Sequence, residues 1–184
     1  MDENKILFVD LDGTLIREDL SNLAFSHSLK NYPFKTLFYL LFFLFKGKPY
    51  LKYKISRNFD IPFENLTYNK AAFDFIREVK NRHRVVYLIS GSHQILVDKM
   101  GKYLNIFFES FGTKDNFNMV GSNKVQFIKE NLKIHDFDYL GNSHKDLPIW
   151  KYTKRAIYTN ASKELIQTIK SQDFENKEIK SRFS

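Results

Sequence analysis

The chain contains no cysteine in its 184 residues. That excludes disulfides, zinc held by thiolates and thiol catalysis, while leaving the compartment open. It also lacks an apolar run of the about twenty residues that a helix needs to cross a bilayer. The five histidines are scattered and make no metal-binding constellation. Neither an internal repeat nor a low-complexity tract is present. The start, Met1-Asp2-Glu3-Asn4-Lys5, is charged and runs directly into an apolar segment, so no secretory signal is expected there. These absences together predict a cytoplasmic or peripheral membrane protein.

What is present suits one α/β domain with a modest insertion, long enough to bury a core. Hydrophobic residues make up 43% and charged residues 27%, which is ordinary, whereas aromatics at 16%, with 19 Phe, are abundant. A net charge of +8 favours phosphorylated or otherwise anionic partners through long-range attraction. Lysine and arginine are spread along the chain rather than gathered on a recognisable motif, so no nucleic-acid partner is expected. The densest basic cluster outside the insertion, Lys80, Arg82, His83 and Arg84, reads as a helix end favoured by the helix dipole.

The most informative stretch is Ile6-Leu7-Phe8-Val9-Asp10-Leu11-Asp12-Gly13-Thr14-Leu15. Four apolar residues predict a buried strand, and a carboxylate arrives where it ends. Asp12, two residues on, points to the same side if the extended geometry persists. Gly13 lets the backbone turn sharply and leaves amides open to an anion. Paired carboxylates at the C-terminal end of a buried strand lie where open α/β sheets bind ligands. An acidic turn between strand and helix is the plainer alternative.

This run resembles the D-x-D-G-T-[LV] signature of the haloacid dehalogenase superfamily, most of whose members are phosphatases with an aspartate nucleophile. The resemblance implies a magnesium-dependent phosphomonoester hydrolase acting through an aspartyl-phosphate. Asp10 is then the nucleophile and Asp12 the general acid and base. Val85-Val86-Tyr87-Leu88-Ile89-Ser90-Gly91-Ser92 supplies the family hydroxyl at Ser90, with Gly91, Gly13 and Thr14 completing the phosphate site. Lys124, at the start of an amphipathic pattern over 122–132, matches the charge-neutralising lysine. Gly141-Asn142-Ser143-His144-Lys145-Asp146 matches the metal motif with one departure. Asn142 stands where the family has an aspartate, so the implied magnesium ligands are Asp10, Asp12 through its carbonyl, Asn142 and Asp146. An amide oxygen still binds a hard cation but brings no charge. A pseudoenzyme that keeps the fold and has lost turnover is the sceptical alternative. His144 is expected to be a loop residue.

Strands are predicted near 5–10, 84–90, 105–109, 137–141 and 155–159. Helices are predicted near 20–30, 35–58, 69–82, 92–104, 122–132, 145–153 and 161–170. This alternation predicts a Rossmann-like, doubly wound parallel sheet with helices on both faces. The catalytic core is expected over 1–14 and 69–170, a helical cap over 15–68 after the first strand, and a polar tail over 171–184. That tail also suits a chain trimmed from a longer protein.

Within the cap, Thr36-Leu37-Phe38-Tyr39-Leu40-Leu41-Phe42-Phe43-Leu44-Phe45 is uncharged and apolar, followed by Lys46, Lys48, Lys52 and Lys54 among Tyr50 and Tyr53. Burial of this helix against its neighbours is the favoured expectation. A helix lying in the interface of an anionic membrane is the alternative. The chain is further similar to the phosphatase-like domain fused ahead of ubiquinone-biosynthesis-type polyprenyltransferases in bacteria. That similarity rests on Val9-Asp10-Leu11-Asp12-Gly13-Thr14-Leu15, Leu66-Thr67-Tyr68-Asn69, Tyr139-Leu140-Gly141-Asn142-Ser143, Asp146-Leu147-Pro148-Ile149-Trp150 and Ala156-Ile157-Tyr158-Thr159-Asn160. For the substrate, the aromatic cap suggests phosphotyrosine or another aryl phosphate, and the branch likeness a lipid-linked prenyl phosphate. A membrane-associated binding module on a degenerate phosphatase fold is the rival outside enzymes.

Overall fold

The first strand, β1, spans Ile6–Val9, and Leu7, Phe8 and Val9 are fully enclosed. A strand buried on both faces belongs inside a parallel sheet. In the computed structural model all six strands are parallel, in the order β3-β2-β1-β4-β5-β6. The others are β2 Val86–His93, β3 Ser110–Thr113, β4 Phe137–Gly141, β5 Arg155–Thr159 and β6 Glu175–Ile179. The structure describes residues 6–57, 59–60, 62–82, 84–153, 155–172 and 175–184. The charged start over 1–5 and His83 of the basic cluster lie outside them.

Side chains alternate across the sheet with the strand period of two. Leu7, Val9, Leu88, Leu140 and Ile157 face one layer, packed on Ile76 of α3 (Lys70–Asn81) and Val97 of α4 (Gln94–Leu104). Phe8, Ile89, Phe137, Tyr139 and Tyr158 face the other, against Val125 of α5 (Ser122–Gln126), Trp150 of α6 (Leu147–Trp150) and Leu165 of α7 (Lys163–Lys170). Burying one such side chain contributes about 1.5–3 kcal/mol. The Rossmann-like, doubly wound sheet expected from the sequence is therefore the observed fold.

Local differences have physical reasons. The apolar run 105–109 does not form β3: Asn105 takes a left-handed conformation that ends α4, and the strand starts at Ser110. The pattern over 122–132 divides into α5 and a π-helical turn over Phe127–Asn131. The helix expected near 145–153 shortens to a 3₁₀ turn, His144–Asp146, and α6. The polar stretch after 171 carries β6, which the sequence reading did not anticipate. β6 pairs with β5 over its whole length, and Arg182 and Ser184 then bond to Lys70 and Tyr68.

Between β1 and α3 the described residues form two α-helices, α1 (Leu20–Asn31) and α2 (Pro33–Ser56), and a 3₁₀ turn over Phe63–Asn65. Asp19 caps α1 by accepting from the Asn22 amide, and Pro33 opens α2 with its fixed φ. Gly47, at φ 76°, bends α2 into two segments, and Pro49 starts the second. The expectation that the apolar part of α2 is buried is corrected here. Leu37, Phe38, Leu41, Leu44 and Phe45 are all more than half exposed, because α1 covers the opposite side of the segment.

Candidate active site

β1 lies between β2 and β4, and the chain winds outward from it in opposite directions. A crevice therefore opens beyond the carboxyl ends of these strands. The Asp10 amide donates to the Leu140 carbonyl at 2.9 Å, the last rung between β1 and β4, so Asp10 enters the crevice from a fixed backbone. The chain then turns with Thr14, Leu15 and Ile16 all donating to the Leu11 carbonyl. Gly13 sits at φ +77°, and a Cβ there would collide with the Asn142 amide.

The crevice holds about 580 Å³. Asp10, Asp12, Gly13, Gly91, Lys124, Asn142 and Asp146 line it, as the sequence predicted for a shared site. Ser90 and Thr14 lie behind its wall, each fully buried. The Thr14 hydroxyl donates to Asp10 Oδ2 at 3.1 Å, and Lys124 Nζ donates to Asp10 Oδ1 at 2.6 Å. The Ser90 hydroxyl, expected against a phosphate, is instead donated to Asp12 Oδ2 at 2.8 Å. Ser92 donates to the same oxygen at 2.9 Å, and the Leu20 amide to Asp12 Oδ1 at 2.9 Å.

Asp146 connects this pair to the neighbouring loop. Its Oδ2 accepts from the amides of Asn142 and Ser143 and from the Ser143 hydroxyl. Its Oδ1 accepts from the Tyr139 hydroxyl at 2.7 Å, and Lys124 Nζ bonds the same Tyr139 oxygen at 2.7 Å. Lys124 is thus aimed at Asp10 by a buried Tyr139–Asp146 relay. Both oxygens of Asp146, given above among the implied magnesium ligands, are engaged within the protein, an arrangement suited to orienting the lysine and the loop.

Burial pushes the Asp10 carboxyl up to about 7, with the Asp146 and Asp12 charges adding and Lys124 opposing. Burial also raises Asp12, assisted by the charge of Asp19, against the bonds from Leu20, Ser90 and Ser92. Burial that keeps Asp12 protonated suits general acid work, and at Asp10 a nearby cation would favour the ionised form that burial disfavours. Among the described residues no three His, Cys, Asp or Glu side chains gather as a metal cage. A hard cation would be held by mixed oxygens: the Asp10 carboxylate, the Asp12 carbonyl and the amide oxygen of Asn142, whose amide nitrogen packs against Gly13. The donor chemistry fits magnesium, with one full charge fewer than a second carboxylate would bring.

Some participants escaped the sequence reading: Arg17 lines the crevice, and Lys48 and Lys52, read there only as basic residues of the cap, join Lys145 in bringing positive charge to its wall. Lys52 reaches down from α2 to donate to the Gly91 carbonyl at 2.5 Å and to Asn118 Oδ1 at 2.8 Å. Burial lowers its ammonium to about 8, with Lys145 and Lys48 adding and Asp12 and Asp19 opposing. Ser92 was legible in the Ser90-Gly91-Ser92 spacing, since both hydroxyls share one side of β2. A larger cleft of about 1020 Å³ runs along the β3 edge, but its charged residues, Asp98, Lys102, Glu109, Lys114 and Asp115, are all exposed. The concentration of buried charge is at the β1 end.

The family model for haloacid dehalogenase-like hydrolases matches residues 7–151, and the chain belongs to that family. It is 32% identical over 155 residues to the uncharacterized protein y4nM of Sinorhizobium fredii (strain NBRC 101917 / NGR234), covering 82% of this chain. The chain spans 29% of the length of that relative. A protein with unknown function from Bordetella pertussis Tohama I has a similar fold, with TM-score 0.69 and 14% identity over 94% of this chain and 97% of that one. A substrate-bound phosphoserine phosphatase complex shares the fold at TM-score 0.59 and 18% identity, over 98% and 96% of the two chains.

Proposed function

We propose that the chain is a magnesium-assisted phosphomonoester hydrolase that works through an aspartyl-phosphate on Asp10, with aryl phosphates, phosphotyrosine included, as substrates. One observation carries this reading: a buried aspartate at the carboxyl end of β1, gripped by Lys124 and Thr14, beside a second aspartate fastened independently by Ser90, Ser92 and Leu20.

Asp10 attacks phosphorus with one carboxylate oxygen, and the bond from phosphorus to the ester oxygen breaks. Asp12, whose burial favours the protonated form, gives its proton to the departing oxygen. It then removes a proton from water, which attacks the same phosphorus and releases Asp10 as a carboxylate. Lys124, held against Asp10, balances charge on the phosphoryl oxygens. The Asp10 carboxylate, the Asp12 carbonyl and the Asn142 amide oxygen would hold magnesium, which when bound would supply neutralisation of negative charge. Arg17, Lys48, Lys52 and Lys145 favour entry of a dianionic phosphate.

The rings of α2 that suggest an aryl substrate stand outside the crevice, whose lining among the described residues is polar apart from Val120 and its glycines. A lipid-linked phosphate is the second reading, in keeping with the likeness to the polyprenyltransferase-fused branch. The exposed apolar face of α2 favours it. The test is turnover of an aryl phosphate with magnesium by the native chain and by Asp10→Asn. Loss of about a thousandfold or more in the variant, with the fold intact, supports the mechanism. Equal turnover by both proteins contradicts it. No turnover by the native chain on aryl, phosphopeptide or prenyl substrates leaves a binding module on a degenerate phosphatase fold.

A further inference from the structure

We propose that the first segment of α2 is a docking surface for an anionic lipid bilayer. Phe34, Leu37, Phe38, Leu41, Leu44 and Phe45 recur at intervals of three and four, so they form one stripe along the helix. None is covered: Phe34 is 88% exposed, Leu44 75% and Phe45 87%. Scattered surface apolar residues need no explanation, whereas six contiguous large ones mark a contact surface.

The charge around the stripe selects its occupant. From 20 to 59 the chain has no Asp or Glu, yet it carries Lys30, Lys35, Lys46, Lys48, Lys52, Lys54 and Arg57. A second copy docked on this face would bring the same cations against these, which disfavours self-association. Anionic headgroups complement them. The flanks carry the aromatic and basic rim of an interfacial helix. Lys46 lies 5.2 Å from the Tyr50 ring centre, Lys54 5.6 Å from that of Tyr53, and Lys35 5.5 Å from that of Tyr32. Such long side chains lay their stems on apolar surface and hold their charges at headgroup level. Among the described residues no helix is long and apolar enough to cross a membrane, so the segment lies in the interface plane.

Docking has a consequence for the crevice. Beyond the Gly47 bend the same helix presents Lys48 and Lys52 to the crevice wall. At 1.5 Å per residue, the crevice then sits within about 20 Å of the headgroups. The docking itself is independent of turnover, and its test requires none.

The full chain is sedimented with vesicles of equimolar phosphatidylglycerol and phosphatidylcholine, and with phosphatidylcholine alone. Binding to the anionic vesicles at low salt should exceed that to the neutral ones by about tenfold or more and fall as salt rises. Leu41→Glu with Phe45→Glu should weaken it by about tenfold or more while circular dichroism and melting stay native, since both side chains face solvent. Lys35→Glu with Lys46→Glu should erase the preference for the anionic lipid. Three results overturn the proposal: no sedimentation at low ionic strength, undiminished sedimentation of the Leu41/Phe45 double variant, or a dimer in solution that the double variant abolishes without change in vesicle binding.

Discussion

The Asp10 carboxyl is held by Lys124 on one oxygen and Thr14 on the other, and burial outweighs both in setting its proton affinity near 7. On the proposed mechanism Asp10 attacks as a carboxylate, so at magnesium well below saturation kcat/KM should rise with pH through about 7. A bound cation favours the carboxylate, and added magnesium should move that limb to lower pH; a limb that ignores magnesium would place the ion elsewhere. The unfolded chain releases this proton near 3.8, so Asp10 weakens the fold as pH rises from there to about 7 and no further above. Magnesium should accordingly raise Tm more at pH 8 than at pH 5, as thermal melts would show. Asn142→Asp returns a charge to the oxygen set, and the magnesium concentration for half-maximal rate, expected in the millimolar range for the native chain, should fall. An unchanged titration would remove Asn142 from the metal site. Gly13→Ala should lower turnover by about tenfold or more, because φ +77° and the Asn142 amide both oppose a Cβ.

The last polar residues are tied into the sheet, and a buried asparagine fastens them. Asn69 donates to the Thr14 carbonyl and to Thr159 Oγ1, both at 3.0 Å, and accepts from the Arg182 amide at 3.0 Å. It thereby joins the exit of the helical insertion, the loop after β1 and the chain end. Ending the chain after Ser171 would expose the β5 edge and remove the Arg182 bond to Asn69 with the Arg182 and Ser184 bonds to Lys70 and Tyr68, and Tm should fall by several degrees in a thermal melt. An unchanged Tm would show that β6 adds nothing. The buried strands were legible because β1, β2, β4 and β5 are apolar runs ending in turn or polar residues. β6 was not, since Glu175-Asn176-Lys177-Glu178-Ile179 is an edge strand with charges facing solvent and no apolar alternation. Asp10, Asp12, Lys124, Asn142 and Asp146 were legible as a motif set. Lys52 was not, because it meets Gly91 across 39 residues of chain, a contact no local spacing encodes. The apolar stretch of α2 was visible in composition, but composition does not say whether a stripe has a partner.

Taken as a whole the molecule is a haloacid dehalogenase-like hydrolase with a basic surface, a charged crevice at the switch point of its sheet, and an inserted helix that serves both. Lys52 links the two parts by bonding the end of β2 from above. Lys52→Met should therefore raise KM for phosphate substrates by about tenfold, with a smaller effect on kcat, as steady-state kinetics would resolve. The central claim is that a phosphoryl group passes through Asp10. The most direct measurement mixes excess enzyme with an aryl phosphate and magnesium, quenches in acid within one turnover, and maps the peptides by mass spectrometry. A burst of released aryl alcohol, with one phosphoryl group added to the peptide bearing Asp10, is the predicted result. Full product formation with that peptide never modified, at any quench time, would contradict the account.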